Sequence, residues 1–411
     1  MKRFLIISII LAFPAPVFSQ GWNLDRCLDH VVRHNPEIAM QENVALQYKA
    51  RFAAECMEIL PTFGATFSSS SASRTPSLAL SGEFTLFHGF SKHHRRHVAR
   101  MEYDISVLDI LGLKEDLAIK TIESYLLLAQ SFQQLDYATA GYEASLRERE
   151  TTMMLVNGGT QPMSALLQVE AQLASDRSAM VDAECAVKSR RLELCQTLDI
   201  PYDKDFMIDR EEINDTLVPP QTWPEEMVSA ALRNNPKYLR SLAVREHRKT
   251  VFLKSLSELS PSVSLRADWA MSFGNGPQVP VKSVGLHVAL PFLSGWHYGP
   301  QIREASLERK RAEIESYAIM RELETTFERA VIESGNCYSK SLAALENVRA
   351  LEESLRINRL KYEQGMITAT GYILAKSEYE KARSAFLKAK WQYMFQLKVI
   401  EHYLSSYENT R

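Results

Sequence analysis

The 411-residue chain is short of several things, and each shortage excludes something. It has 16 Gly and 16 Pro, together about 8% against a usual share of about 12%. Turns are therefore few and the elements between them long. Neither sign of charge prevails, with 48 Lys and Arg against 50 Asp and Glu, which argues against a nucleic-acid binder and its usual basic excess. No apolar run reaches the ~20 residues of a membrane helix, so a polytopic helical membrane protein is excluded. The five cysteines, Cys27, Cys56, Cys185, Cys195 and Cys337, are odd in number, widely spaced and without a CxxC; they are not a disulfide framework. HExxH, GxSxG, P-loop and dinucleotide fingerprints are all missing, so no catalytic residue, no cofactor and no enzyme activity are expected. Hydrophobic residues at 45% and charged residues at 24% are ordinary for a folded protein and exclude a disordered one.

The longest apolar run, Phe4 to Phe13, follows Lys2 and Arg3 and is broken by Pro14 and Pro16. Val17 and Ser19 supply small residues at the −3 and −1 positions. The pattern predicts a signal peptide over residues 1–19, cut after Ser19. No Cys follows it, so no lipid attachment is expected, and the exported chain has no transmembrane helix.

The remainder says the same thing twice. Trp22 and Asn35-Pro36 return as Trp223 and Asn235-Pro236, and Pro61 returns as Pro261. Leu86-Phe87-His88-Gly89-Phe90 returns as Phe292-Leu293-Ser294-Gly295-Trp296 at an offset of 206, and Gly158 returns as Gly365 at 207. A slowly drifting offset marks a duplication rather than a short-period solenoid. The first repeat covers 20–199, with a β-hairpin over 62–87 and a long helical hairpin over 90–199. A proline-bearing linker follows at 200–222. The second repeat covers 223–407, with a β-hairpin over 262–292 and a helical hairpin over 296–407.

The helical parts carry seven-residue stripes: Leu166, Leu173, Met180, Val187 and Leu194 in one returning helix, and Tyr372, Tyr379, Phe386, Tyr393 and Ile400 in the other. Ala375, Ala382 and Ala389 lie three residues beyond the latter stripe, so large knobs face shallow holes in a coiled-coil pattern. The outgoing helices, about Phe90 to Val156 and Trp296 to Gln364, could each reach ~100 Å at the helical rise.

Between the helices the period changes to two. Phe63, Ala65 and Phe67 alternate with small polar residues, as do Leu78, Leu80, Phe84 and Leu86. Val263, Leu265, Ala267, Trp269, Met271 and Phe273 alternate with Ser264, Arg266 and Asp268. Val284, Leu286, Val288, Leu290 and Phe292 alternate with Ser283 and His287. Such segments are strands with one apolar and one polar face. Their length matches the ~9–11 residues of a tilted membrane strand. Glu83, Arg266, Asp268 and His287 suit a water-filled lumen, and Phe63, Phe87, Phe273, Phe292 and Trp296 suit interface girdles. Four strands cannot close a barrel, and open edges are not tolerated in lipid, so the chain is expected to share a barrel with copies of itself.

These residues resemble the TolC family of outer-membrane efflux proteins. The resemblance rests on the two Asn-Pro helices, the two hairpins ending at Phe87-His88-Gly89-Phe90 and Leu293-Ser294-Gly295-Trp296, and the segment Tyr362-Glu363-Gln364-Gly365 leading to Leu374. It implies a mainly α fold with membrane β: a homotrimer with one shared twelve-stranded barrel and an α-helical periplasmic tunnel. It also implies a passive export duct of a tripartite efflux or type I secretion system, in the outer membrane with most of the chain in the periplasm. The implied partners are a periplasmic adaptor (membrane fusion protein), an inner-membrane transporter and outer-membrane lipid, with no nucleic acid. The family's tip turns fall at Asn157-Gly158-Gly159-Thr160 and Gly365-Met366-Ile367-Thr368, so Gly158, Gly159, Gly365 and Thr368 are expected to dock the adaptor. Where family members carry tip Asp residues, this chain has Ser164 and Gly371, leaving Gln168, Glu170 and Lys376 as the polar residues nearby.

His93 and His97, four apart in a run with His88 and His94, are candidate metal ligands by spacing, though basic side chains after a membrane strand commonly mark the interface. The competing class is a periplasmic adaptor or structural coiled coil. Adaptors usually have one helical hairpin flanked by soluble β domains, against two hairpins here.

Overall fold

The computed structural model describes residues 21–69, 76–209, 217–221, 223–273, 280–290 and 295–408. The signal segment 1–19, the loop Gly274-Asn275-Gly276-Pro277, the motif residues Phe292-Leu293-Ser294 and the middle of the linker lie outside them. The elements run α1 (Leu24–His34), α2 (Pro36–Met57), β1 (Thr62–Ser68), β2 (Ser77–His88), α3 (Ser91–Asn157) and α4 (Met163–Thr197). The same order then recurs as α5 (Glu225–Asn234), α6 (Pro236–Ser257), β3 (Ser262–Ser272), β4 (Val281–Ala289), α7 (Gly295–Glu363) and α8 (Ala369–Glu408). The outgoing helices α3 and α7 are 67 and 69 residues long, as the scarcity of Gly and Pro requires. None of the described helices is long and apolar enough to cross a membrane.

Both Asn-Pro pairs start a helix for the same reason. The Asn35 Oδ1 accepts from the Glu37 N–H at 2.8 Å and the Asn235 Oδ1 from the Lys237 N–H at 2.9 Å. Each caps an otherwise unpaired N–H, while the following Pro sits where no N–H is needed. Asn235 is buried and also donates to Glu115 Oε1 at 2.9 Å. Burial pushes the Glu115 carboxyl above its usual range.

The chain forms two compact units that each draw on both repeats. The first comprises the described parts of Met1–His34, Leu117–Pro220 and Ser334–Lys398. Its core is made from the seven-residue stripes: Leu128 and Phe132 of α3, Val187 and Leu194 of α4, and Tyr372 and Tyr393 of α8 are all buried. Each such side chain contributes roughly 1.5–3 kcal/mol by leaving water. The described linker residues are fastened rather than loose. Trp22 and Ile208 form a parallel bridge, Phe206 and Ile208 are buried, and the Tyr125 hydroxyl donates to the Asp209 carbonyl at 2.9 Å.

The second unit comprises the described parts of Asn35–Asp116, Gln221–Glu333 and Val399–Arg411. It holds a core of Ala231, Leu232, Phe327, Ile400 and Leu404, with Trp223 and Met227 packed against it. It also holds all four strands. These form one antiparallel sheet in the order β1-β2-β3-β4, so the two hairpins are joined edge to edge through β2 and β3.

Candidate functional site

The sheet register decides which side chains share a face. Leu78 lies opposite Met271, Leu80 opposite Trp269, Gly82 opposite Ala267 and Phe84 opposite Leu265. The same face continues through Phe63 and Phe67 of β1, opposite Gly82 and Leu78, and through Val284, Leu286 and Val288 of β4, opposite Ala267, Leu265 and Val263. One face is thus apolar across all four strands. It is also uncovered: Phe63 is 84% exposed, Phe67 70%, Val284 77% and Leu286 63%. The Phe63 ring rests over Gly82, where a Cβ would come within 3.3 Å of it.

The opposite face brings together all four residues expected to line a lumen. Arg266 pairs with Glu83 across β2 and β3, Nη2 to Oε2 at 3.0 Å. Asp268 faces Ser81 and Ser283, and His287 faces Ser264. The alternation has two exceptions in β4 that the sequence pattern did not reveal. Lys282 stands on the apolar face opposite Trp269, and Val281 on the polar face opposite Ala270. Both sit at the start of the strand, where a long side chain can carry its charge past the apolar band.

The joint between β2 and α3 explains the Phe87-His88-Gly89-Phe90 motif. Gly89 and Phe90 are both left-handed, with φ of 50° and 63°. A Cβ on Gly89 would lie 2.2 Å from the Ser260 Cβ and 2.6 Å from the Ser257 carbonyl oxygen. Only Gly fits both the conformation and the space.

The two tip turns, both in the first unit, are built alike. The Thr160 N–H donates to the Leu155 carbonyl at 3.0 Å and the Met366 N–H to the Lys361 carbonyl at 2.8 Å. The left-handed residue between each pair is Gly, Gly159 with φ 76° and Gly365 with φ 74°. This is the Schellman helix stop. It aligns Gly159, not Gly158, with Gly365, so the tip offset is 206, the same as that of the hairpin motif. A Cβ on either Gly159 or Gly365 would meet nothing within 4 Å. In the second turn the Thr368 Oγ1 accepts from the Gly371 N–H at 3.3 Å and caps α8.

The polar residues near the tips are all engaged within the chain. Gln168 Oε1 accepts from the Thr370 hydroxyl at 3.0 Å, and Glu170 pairs with Arg149 at 3.1 Å. Lys376 is not a tip residue facing solvent. Its side chain is 8% exposed, and its Nζ lies 2.5 Å from Asp176 Oδ2 and 3.5 Å from Glu380. The Ser145 hydroxyl bonds both Lys376 and Asp176. Periodicity could not reveal this pair, because Lys and Asp at such positions usually face water. Behind the tip, the Tyr362 and Tyr372 rings stack with centroids 5.4 Å apart. Burial raises the Glu148 carboxyl and the Tyr372 hydroxyl above their usual ranges, the neighbouring Glu148 charge adding to the latter.

His93 and His97 line a cavity of about 400 Å³ with Phe52, Cys56, Arg96 and Arg100. Among the described residues no group of three or more His, Cys, Asp and Glu is placed to hold a metal.

Taken together, the doubled element order, the four-stranded sheet and the two long helical hairpins define the fold of the TolC-like outer-membrane channels. Among solved structures, CusC superposes with a TM-score of 0.82 at 13% identity, over 93% of this chain and 91% of that one. The Campylobacter jejuni outer-membrane channel CmeC gives 0.79 at 14% identity, over 93% and 85%. The Vibrio cholerae outer-membrane protein VceC gives 0.78 at 14%, over 93% and 95%. No protein-family model matches the sequence, and no curated protein matches it.

Proposed function

We propose that this chain is the outer-membrane export duct of a tripartite efflux or type I secretion system, a passive conduit that catalyses nothing. The observation that carries the reading is the two-faced sheet. An uncovered apolar face on one side and Glu83, Arg266, Asp268 and His287 on the other suit lipid outside and water inside. Because β1 and β4 leave two open edges, the barrel closes only with further copies, and three chains supply twelve strands. The superposition on outer-membrane channels supports the same reading.

The helical hairpins stand in the periplasm, where the turns at Gly158-Gly159 and Gly365-Thr368 receive a periplasmic adaptor bound to an inner-membrane transporter. The open space around Gly159 and Gly365 favours this role: a partner backbone can approach closely there. At Gly365 an added Cβ meets nothing within 4 Å, so the backbone cost of Gly365→Leu is the ~1–2 kcal/mol of a left-handed non-glycine residue. Export is expected to be lost while trimer and insertion persist. Unchanged export would sink the docking role. Fractionation tests the larger reading, since recovery in the soluble periplasm would refute the duct and favour an adaptor.

A further inference from the structure

We propose that the cavity lined by Phe52, Cys56, His93, Arg96, His97 and Arg100 binds the phosphate of a membrane phospholipid, one per chain, at the periplasmic rim of the barrel. This rests on the export-duct reading, which puts the α3 end of the sheet at the inner leaflet.

The cavity lies on the lipid side of the joint. Phe87 belongs to the apolar sheet face, opposite Val263. The Phe90 ring packs edge-on against it, centroids 5.8 Å apart, and is itself 68% exposed. His93, His97 and Arg100 follow at spacings of four and three, so they form one stripe of α3. Going down from the lipid-facing sheet, the surface passes from the aromatic joint to this basic stripe. The opposite side of the joint differs: there the polar-face residues Thr85, His88 and Ser262 share a separate cavity with Lys92 and Arg95.

The α3 side of the lining is basic. Two guanidinium groups and two imidazoles line the cavity and no carboxylate does. Arg96 Nη2 lies 3.5 Å from His93 Nδ1. Three acids stand close by but outside the lining: Glu55 of α2 and Glu58 just after it pair with Arg95, and Asp104 stands 3.9 Å from Arg100 Nε with both side chains more than half exposed, a pair of little strength. Such a lining repels a metal cation and attracts an anion, and arginine suits phosphate geometry. His93 falls in the first turn of α3, which holds no acidic residue.

The cluster is not demanded by the fold. At the tip and hairpin offset of 206, the second repeat has Gly299, Ile302, Arg303 and Ser306 in place of His93, Arg96, His97 and Arg100. Phe52 and Cys56 of α2 close the cavity as a weakly polar wall, and exposed Ile59 and Leu60 continue α2 toward the sheet. A phosphate with acyl chains attached satisfies both halves of the surface; a free phosphate satisfies one.

The test uses the full processed protein, purified in non-ionic detergent and titrated with phosphatidylglycerol, with bound lipid counted by native mass spectrometry. Diacylglycerol of the same chains and inorganic phosphate are the two other arms. Wild type is expected to hold one phosphatidylglycerol per chain, to ignore diacylglycerol, and to keep its lipid against inorganic phosphate. Arg96→Gln with Arg100→Gln should weaken binding about thirtyfold, from roughly one decade-and-a-half for two interfacial charges. Arg303→Gln, at the equivalent place in the other repeat, should change nothing. Equal retention by the double variant, or equal binding of diacylglycerol, overturns the site. Displacement of the lipid by inorganic phosphate makes it a free-anion site instead and overturns the lipid assignment. Failure of wild type to fractionate with the outer membrane is a different result, seen before any titration, and removes the export-duct reading itself.

Discussion

Gly89→Ala puts a methyl group where the joint between β2 and α3 has no room for one. The added Cβ meets the Ser260 Cβ at 2.2 Å, the Ser260 Oγ at 2.5 Å and the Ser257 carbonyl at 2.6 Å. It also holds Ala at φ 50°. The left-handed backbone costs ~1–2 kcal/mol, and forcing a methyl into a filled site costs ~1–3 kcal/mol more. A loss of about 2–5 kcal/mol is a large part of the ~5–15 kcal/mol of a typical domain. Denaturant unfolding of the detergent-purified protein, followed by circular dichroism, measures it. Ser260→Gly sharpens the test by removing two of the three clashes and leaving the backbone oxygen. In the double variant, about 1–2 kcal/mol of the loss should return as coupling. If Gly89→Ala unfolds with wild type, the joint is not the constraint described; if Ser260→Gly restores nothing, the clash is not its cause.

Other outcomes follow from single features. Val284→Arg, on the apolar face, should cost ~2–4 kcal/mol of membrane stability and block insertion. Ser283→Arg, one residue away on the polar face, should insert normally, as a heat-modifiable band on gels would report. Lys376→Met leaves Asp176 buried without its cation and should destabilise the first unit by ~3–5 kcal/mol, whereas Lys376→Met with Asp176→Leu should recover most of it in the same unfolding assay. Burial raises the Glu148 carboxyl pKa, so between its ordinary and raised values the folded form holds a proton that the unfolded form releases. The destabilisation is absent below the ordinary carboxylate range and complete above the raised value. Glu148→Gln should therefore raise the melting temperature at neutral pH, with the gain shrinking as the solution is acidified.

Much of the fold is legible in the sequence because each element stands between two different environments. The strands alternate since their faces meet different surroundings, and Val263 through Phe273 shows this without help from structure. The Asn-Pro pairs are legible because a cap and its proline are local chemistry. The joining of β2 to β3 is not, since it links residues nearly 200 positions apart and periodicity carries no partner information. The strand bounds also depart from the alternation, with β2 running on to His88, past Leu86, and β4 beginning at Val281. At the site, Glu83, Arg266, Asp268 and His287 fall on one face as alternation requires. Spacing matches Gly158 to Gly365, but a helix stop is defined by the left-handed residue, and that is Gly159. Lys376 reads as exposed because a lone sequence cannot show that Asp176 and Ser145 converge on it.

The uncovered sheet face has a consequence for biogenesis. On the export-duct reading, until further copies arrive a chain carries Phe63, Phe67, Val284 and Leu286 bare to water, beside β1 and β4 as the two edges of the described sheet, a combination that invites sticking to any other extended chain. On that reading closure needs an encounter among several copies, so its rate rises steeply with their local concentration, while wrong pairings draw on the same edges. If the chain is such a duct, its yield follows the interval between export and closure rather than the strength of the finished barrel, and slow delivery to the membrane, or an escort that shields the face on the way, governs how much duct is made.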